Sequence, residues 1–257
     1  MKRWLAVAAL LLIALGPACR SGPRQDPIMV LSSAEALAKG KELMEAGKYR
    51  QAREYLVHAF EVEPNSAGGR EALLLAADAH YLAGGLDNYV RAESRYRDFQ
   101  TRFPTSARAA YVQYQIAMSL VQRMKKPDRD QTIARDALEE FQNLVQLYPT
   151  SEYVEEAREQ IRRVRDNLAA HEMLIGRFYM RYGNLNGAIS RLEYALENYP
   201  EFSETDRVLF YLGMSHRKAD QEEESRQVFD RLRREYPDSS WVGEIPAPRG
   251  EARRARQ

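Results

Sequence analysis

One cysteine, two tryptophans and four histidines in 257 residues leave little material for several common chemistries. The lone thiol, Cys19, cannot form a disulfide within the chain, so no cross-linked framework is available. His58, His80, His171 and His216 lie far apart, and neither CxxC nor HExxH occurs to gather a metal. A glycine-rich phosphate loop is missing too. The stretch "GMSHR" at 213–217 falls inside a helix pattern, not after a strand, which excludes a nucleophile elbow. Carboxylates are plentiful, yet no pattern pairs them in a cleft. Catalysis, a cofactor and a metal site are therefore not expected. An excess of one charge is absent as well: 38 basic and 37 acidic residues give a net charge of +1, which removes the electrostatic case for nucleic acid. The longest apolar run, Trp4 to Leu15, is too short to cross a bilayer core of ~30 Å.

That run has a different use. Lys2 and Arg3 precede it and small residues follow, the layout of a secretory signal over residues 1–18. Cleavage after Ala18 by an ordinary signal peptidase fits Gly16 and Ala18. Lipidation of Cys19 fits the same stretch, and a thiol found here and nowhere else favours it. Gly16 stands where a lipobox usually has leucine, with Leu15 one place further back. Arg20 after the cysteine, rather than Asp, points to outer-membrane sorting. A lipidated cysteine would bury many CH₂ groups, at about 0.8 kcal/mol each. Residues 19–31, rich in proline, glycine and charge, read as a tether. Residues 243–257, with "PAPRGEARRARQ", read as a disordered basic tail.

Between these ends, one phrase returns five times. It places a small residue first, a bulky one four on, an apolar one three further and proline five beyond. The five copies are Ala52-Leu56-Ala59-Pro64, Ala92-Tyr96-Phe99-Pro104, Ala137-Phe141-Leu144-Pro149, Ala188-Leu192-Ala195-Pro200 and Ser225-Phe229-Leu232-Pro237. Steps of four and three put these side chains on one helix face. Proline ends the helix and biases its predecessor toward extended geometry. The Ser or Thr that follows, as Thr150 or Ser151 in "QLYPTSEY", can cap the next helix. Gly40, Gly176 and Gly213, with Ala77 and Ala117 in the other units, mark close helix crossings, and "EAGKYRQA" and "RYGNLNGA" mark turns. This resembles the tetratricopeptide pattern, nominally 34 residues long. The expected fold is all-α, a solenoid of about five helix pairs over residues 32–242. The proline spacings of 40, 45, 51 and 37 exceed 34, so longer helices are expected, above all one from about Tyr153 to Tyr182.

A solenoid offers a concave face and no chemistry of its own. The tetratricopeptide register places Leu74, Asp78, Tyr81, Tyr111, Tyr114 and Met118 on that face. Further along it places Arg177, Arg181, Arg207, Phe210, Arg217 and Lys218. Tyrosine suits a peptide groove, and it equally suits packing between repeats. Arginine suits partner carboxylates, and it equally suits plain solvation.

The insert Pro127–Thr132 is too polar for a core, with Asp130 or Thr132 able to cap the helix that follows. Read with its sequel, "PDRDQT", Phe141, "YPTS", "RDNLAAHE" and "GRFYMRYGN", it resembles the BamD family over most of the chain. The resemblance implies a non-catalytic, lipid-anchored scaffold of β-barrel assembly on the periplasmic face of the outer membrane. It implies a BamA-like barrel protein and unfolded outer-membrane β-barrel proteins as partners, with no nucleic acid. Carried over, Arg177, Arg181, Arg207 and Arg217 would meet the BamA-like partner. Asp78, Tyr81, Tyr111 and Tyr114 would line a groove for unfolded substrate. A Tol–Pal-associated CpoB-type adaptor is the competing reading, but no heptad run precedes residue 34 as that type would require.

Overall fold

A computed structural model describes residues 27–247. The expected signal segment, Cys19, most of the tether and the end of the basic tail lie outside the described residues. Ten helices follow one another in antiparallel pairs: α1 (Ser33–Glu45) with α2 (Tyr49–Val62), and α3 (Ala67–Ala83) with α4 (Leu86–Arg102). The next pairs are α5 (Ala109–Val121) with α6 (Thr132–Leu147) and α7 (Val154–Arg181) with α8 (Leu185–Asn198). Then α9 (Thr205–Lys218) pairs with α10 (Glu222–Glu235), and a single turn, α11 (Ser240–Gly243), closes the chain. Each helix packs chiefly on its sequence neighbours, which makes a solenoid of five units. Among the described residues there is no strand, and no helix is long and apolar enough to cross a membrane.

The repeated phrase explains the pairing. Its second residue is fully or almost fully buried in every unit: Leu56, Tyr96, Phe141, Leu192 and Phe229. Opposite it, the partner helix carries the smallest side chain that fits. A Cβ on Gly40 would come within 2.6 Å of Leu56, on Gly176 within 2.6 Å of Leu192, and on Gly213 within 2.5 Å of the Phe229 ring. In the second and third units Ala77 and Ala117 share a core with Tyr96 and Phe141, so a methyl group is accommodated there.

Every second helix stops two residues before its proline, and the intervening residue adopts φ between −138° and −129°. Each of these residues has left the helical region that proline disfavours for its predecessor, with ψ between 56° and 68°, short of fully extended. The turns at Gly47 (φ 68°) and Gly183 (φ 83°) require a left-handed residue, which explains glycine at both.

Two local expectations need correction. Ser66 does cap α3, accepting from the Gly69 N–H at 2.9 Å. Neither Thr150 nor Ser151 caps α7; Ser151 accepts from Tyr153 N–H at 3.3 Å inside the turn, and the helix begins only at Val154. Tyr153 is held instead by its ring, 5.2 Å from that of Tyr114. At the insert, Asp130 receives both the backbone N–H and the hydroxyl of Thr132, at 3.1 and 2.8 Å. Gln131, expected to be merely polar loop, is buried: it donates to the Lys126 and Arg129 carbonyls, each at 2.9 Å, and accepts from Asn167. His171 meets the Pro127 carbonyl at 2.6 Å. The insert is thereby fastened to α7, the 28-residue helix that links the third and fourth units.

Order also extends further at both ends than expected. Pro27–Val30 form a 3-10 turn, and the following Leu31 carbonyl meets His58 at 3.0 Å. At the other end, Arg217 reaches Ala247.

Candidate functional site

Asp78, on α3, ties the second unit to the third. Its Oδ1 accepts the hydroxyl of Tyr96 at 2.7 Å and that of Tyr111 at 2.8 Å. Burial raises the pKa of this carboxyl, opposed by the two hydroxyl donors and the Arg108 charge. Burial beside that carboxylate also drives both phenols above their ordinary value, so they stay neutral donors. Asp78 and Tyr111, with Leu74, Phe99, Arg70 and Arg108, line a pocket of about 500 Å³ between α3 and α5, while Tyr96 stays buried behind it. A second pocket, about 400 Å³, lies beside it against the Tyr148–Tyr153 turn and shares Arg108 and Tyr111. Arg108 lies over the Tyr111 ring at 5.7 Å, so a cation and an aromatic face stand between the two pockets.

Of the four residues expected to line a groove, Asp78 and Tyr111 line this pocket, while Tyr81 and Tyr114 do not. Tyr114 is buried: its ring lies 6.1 Å from Phe141 and 5.2 Å from Tyr153, and its hydroxyl bonds to Glu156 on α7. It follows the repeat-packing alternative. Tyr81 is half-buried, edge-on to Tyr89 at 5.6 Å, and accepts from Gln122 at 3.4 Å. The residues sequence reading missed are Arg70, Phe99 and Arg108. Arg108 directly precedes α5, and no periodic signal marks such a position.

The four arginines of the C-terminal units divide into two pairs. Arg177 and Arg181 are exposed on the last turns of α7, and Arg177 lies over the Tyr211 ring at 5.7 Å. Between and beside them stand Phe178 and Tyr182, 54% and 70% exposed, with ring centroids 4.5 Å apart. These two large apolar side chains in solvent were not anticipated, because spacing alone does not say which face of α7 is left uncovered. Arg207 and Arg217 are engaged within the chain. Arg207 pairs with Glu204 at 2.6 Å and lies 5.7 Å from the Trp241 ring. Arg217 donates to the backbone carbonyls of Pro246 and Ala247. Among the described residues, no group of three His, Cys, Asp or Glu side chains is placed to hold a metal.

Residues 30–232 match the YfiO family, described as an outer membrane lipoprotein. The chain belongs to this family, that of BamD. It is 28% identical over 240 residues to the outer membrane protein assembly factor BamD of Caulobacter vibrioides, covering 92% of this chain and 77% of that one. BamD of Rickettsia prowazekii is 28% identical over 242 residues, covering 94% and 95%. BamD of Haemophilus influenzae is 27% identical over 228 residues, covering 85% of each. Among solved structures, the tetratricopeptide protein YrrB aligns with a TM-score of 0.37 and 16% identity, over 82% of this chain and 90% of that one. The relatives are named as assembly factors, a non-catalytic kind of protein. Membership of their family connects this chain with outer membrane protein assembly.

Proposed function

We propose that this protein is a non-catalytic scaffold of β-barrel assembly, anchored through Cys19 on the periplasmic face of the outer membrane. The observation that carries the reading is the family match over residues 30–232, nearly all of the solenoid. The concave pocket of α3 and α5 is the place for unfolded outer-membrane β-barrel protein. Its apolar floor receives an aromatic side chain, and Arg70 and Arg108 stand where a chain-terminal carboxylate would be met. Asp78 and Tyr111 form its wall, with Tyr81 and Tyr114 bracing the helices behind. The BamA-like barrel protein meets the other end, where Arg177, Arg181, Phe178 and Tyr182 offer two planar cations around an exposed aromatic pair. Arg207 and Arg217 join that end of the molecule through the chain's own C-terminal segment.

Affinity capture of the full-length chain from detergent-solubilised membranes tests the complex. A BamA-like barrel protein is expected in the eluate, and its absence would refute the scaffold reading. Arg108→Glu should weaken binding of a peptide with an aromatic residue and a free carboxylate at its end by about tenfold. Unchanged binding would remove the pocket from the account. Labelled palmitate should enter the wild type and not Cys19→Ala.

A further inference from the structure

Large apolar side chains are uncovered where the described residues begin. Met29, Val30 and Leu86 are 64%, 66% and 68% exposed, and Val90 is 45% exposed. Leu86 and Val90 lie four residues apart, on one stripe of α4. The N-terminal turn is fixed nearby: the Leu31 carbonyl meets His58 Nε2 at 3.0 Å, and Ile28 and Met29 border a cavity of about 430 Å³ with Arg53 and Val57 of α2 and His80 of α3. His80 Nδ1 meets the Asn88 amide oxygen at 3.3 Å, which carries the surface across to α4. Burial, with the charges of Arg53, Arg95 and Arg91, holds the His80 pKa below its ordinary value, so three guanidiniums surround one spot. Arg91 pairs with Asp87 at 2.8 Å, and Glu54 and Glu61 also stand here. The net charge of the face is therefore small. Its character is apolar side chains set among arginines.

The position of this face says what covers it. Cys19 stands eight residues before Pro27, and eight peptide steps reach at most about 28 Å. With Cys19 lipidated, the side on which Pro27–Val30 sit is the side that the anchor draws toward the bilayer. The chemistry agrees with the position. In a headgroup layer an apolar side chain buries, while an arginine lays its stem along the apolar surface and keeps its charge in water. His80 and Asp78 are two residues apart on α3, a rotation of ~200° about the helix, so the face lies behind the α3–α5 pocket. A bilayer against the one leaves the other open.

We propose that Met29, Val30, Leu86 and Val90, with Arg53 and Arg95 among them, form a membrane-contact face that rests in the phospholipid headgroup layer. The tether then lays the first two units on the bilayer, with the α3–α5 pocket turned away from it. The inference rests on the Cys19 anchor proposed above and adds the orientation which that anchor imposes.

The chain from Cys19 onward carries one thiol, which can be coupled to a maleimide lipid in vesicles of phosphatidylethanolamine and phosphatidylglycerol. Attachment is then independent of lipidation in the cell. In a Trp241→Phe background, a single tryptophan is introduced by Leu86→Trp, by Val90→Trp or, for comparison, by Leu147→Trp. Leu147 is 63% exposed at the far end of α6, a helix that runs in the same sense as α4. Phospholipids brominated at the start of the acyl chain should cut the fluorescence at 86 and 90 about twofold, since interfacial residues lie within ~5–10 Å of that depth, and should leave 147 unchanged. Adding Met29→Asp and Val30→Asp should remove the quenching at 86. Equal quenching at all three positions, or none at any, would overturn the proposal. Should Trp241→Phe not fold, Trp241 is retained and its signal in the otherwise unsubstituted chain is subtracted. A failure of the anchor itself is read separately, as palmitate missing from Cys19 in cells.

Discussion

In the second and third units, Tyr96, Tyr111 and Tyr114 each give a hydroxyl to a carboxylate, Asp78 or Glu156, and their rings sit between helices. At the end of α7, Phe178 and Tyr182 meet in solvent with tilted rings beside two exposed arginines. Aromatic side chains stand on first helices in both regions, Tyr111 and Tyr114 on α5 and Phe178 and Tyr182 on or just after α7, with Tyr96 on the second helix α4. What separates them is the neighbour: a buried phenol needs an acceptor, and Asp78 and Glu156 supply one, whereas among the described residues Phe178 and Tyr182 remain exposed at the end of α7. Close helix contact divides along a different line. The first, fourth and fifth units cross at glycine, and the second and third at alanine, although every unit buries a bulky residue opposite.

The largest expected effect bears on the tyrosines. Asp78→Leu would leave the fully buried Tyr96 hydroxyl without its acceptor, and should cost about 2–4 kcal/mol in denaturant unfolding. A loss well under that range would mean the tyrosines stand on packing alone, and the contrast between the regions would fail. Next come the crossings. Gly213→Ala and Gly176→Ala force a methyl group into Phe229 or Leu192, an overpacking cost of about 1–3 kcal/mol, although alanine favours helix. Ala77→Gly should cost only about 1 kcal/mol from helix propensity, since the crossing already has room. Thermal melts of the three variants would sharpen the distinction, and equal losses would erase it.

A smaller effect follows from protonation. The Asp78 carboxyl titrates above its unfolded value because burial disfavours the charge. Its contribution to stability is therefore full below the unfolded pKa and lost as pH rises through the folded one. Wild type should lose stability over that interval, and Asp78→Asn should lack the step; parallel pH profiles would contradict this. The smallest structural effect belongs to the exposed pair. Phe178→Ser with Tyr182→Ser should change stability by no more than about 0.5 kcal/mol while reducing capture of the BamA-like protein. A large fall in melting temperature would show the pair to be part of the core.

Much of the scaffold was legible beforehand. The long helix expected from about Tyr153 to Tyr182 runs from Val154 to Arg181, and all five prolines end helices where the repeated phrase places them. Gly40, Gly176 and Gly213 meet the bulky residues of that phrase. The site was legible only in part. Asp78 and Tyr111 line the α3–α5 pocket, whereas Tyr114 packs between repeats. Arg70 and Arg108 were invisible because residues at a helix start carry no periodic mark. The Trp241 segment escaped notice for a related reason: a single helical turn buries too little to leave a pattern.

Local physics accounts for that division. A 3.6-residue period fixes which face of a helix is apolar, and proline fixes φ and blocks the helix that follows, so both can be read from neighbouring letters. Whether a tyrosine braces the fold or faces solvent depends on acceptors 18, 33 and 42 residues away in the chain. Only the stacking of one unit on the next brings those partners together. The sequence by itself determined the helix pairs and their crossings; the tertiary structure decided which aromatic and cationic side chains remained for a partner.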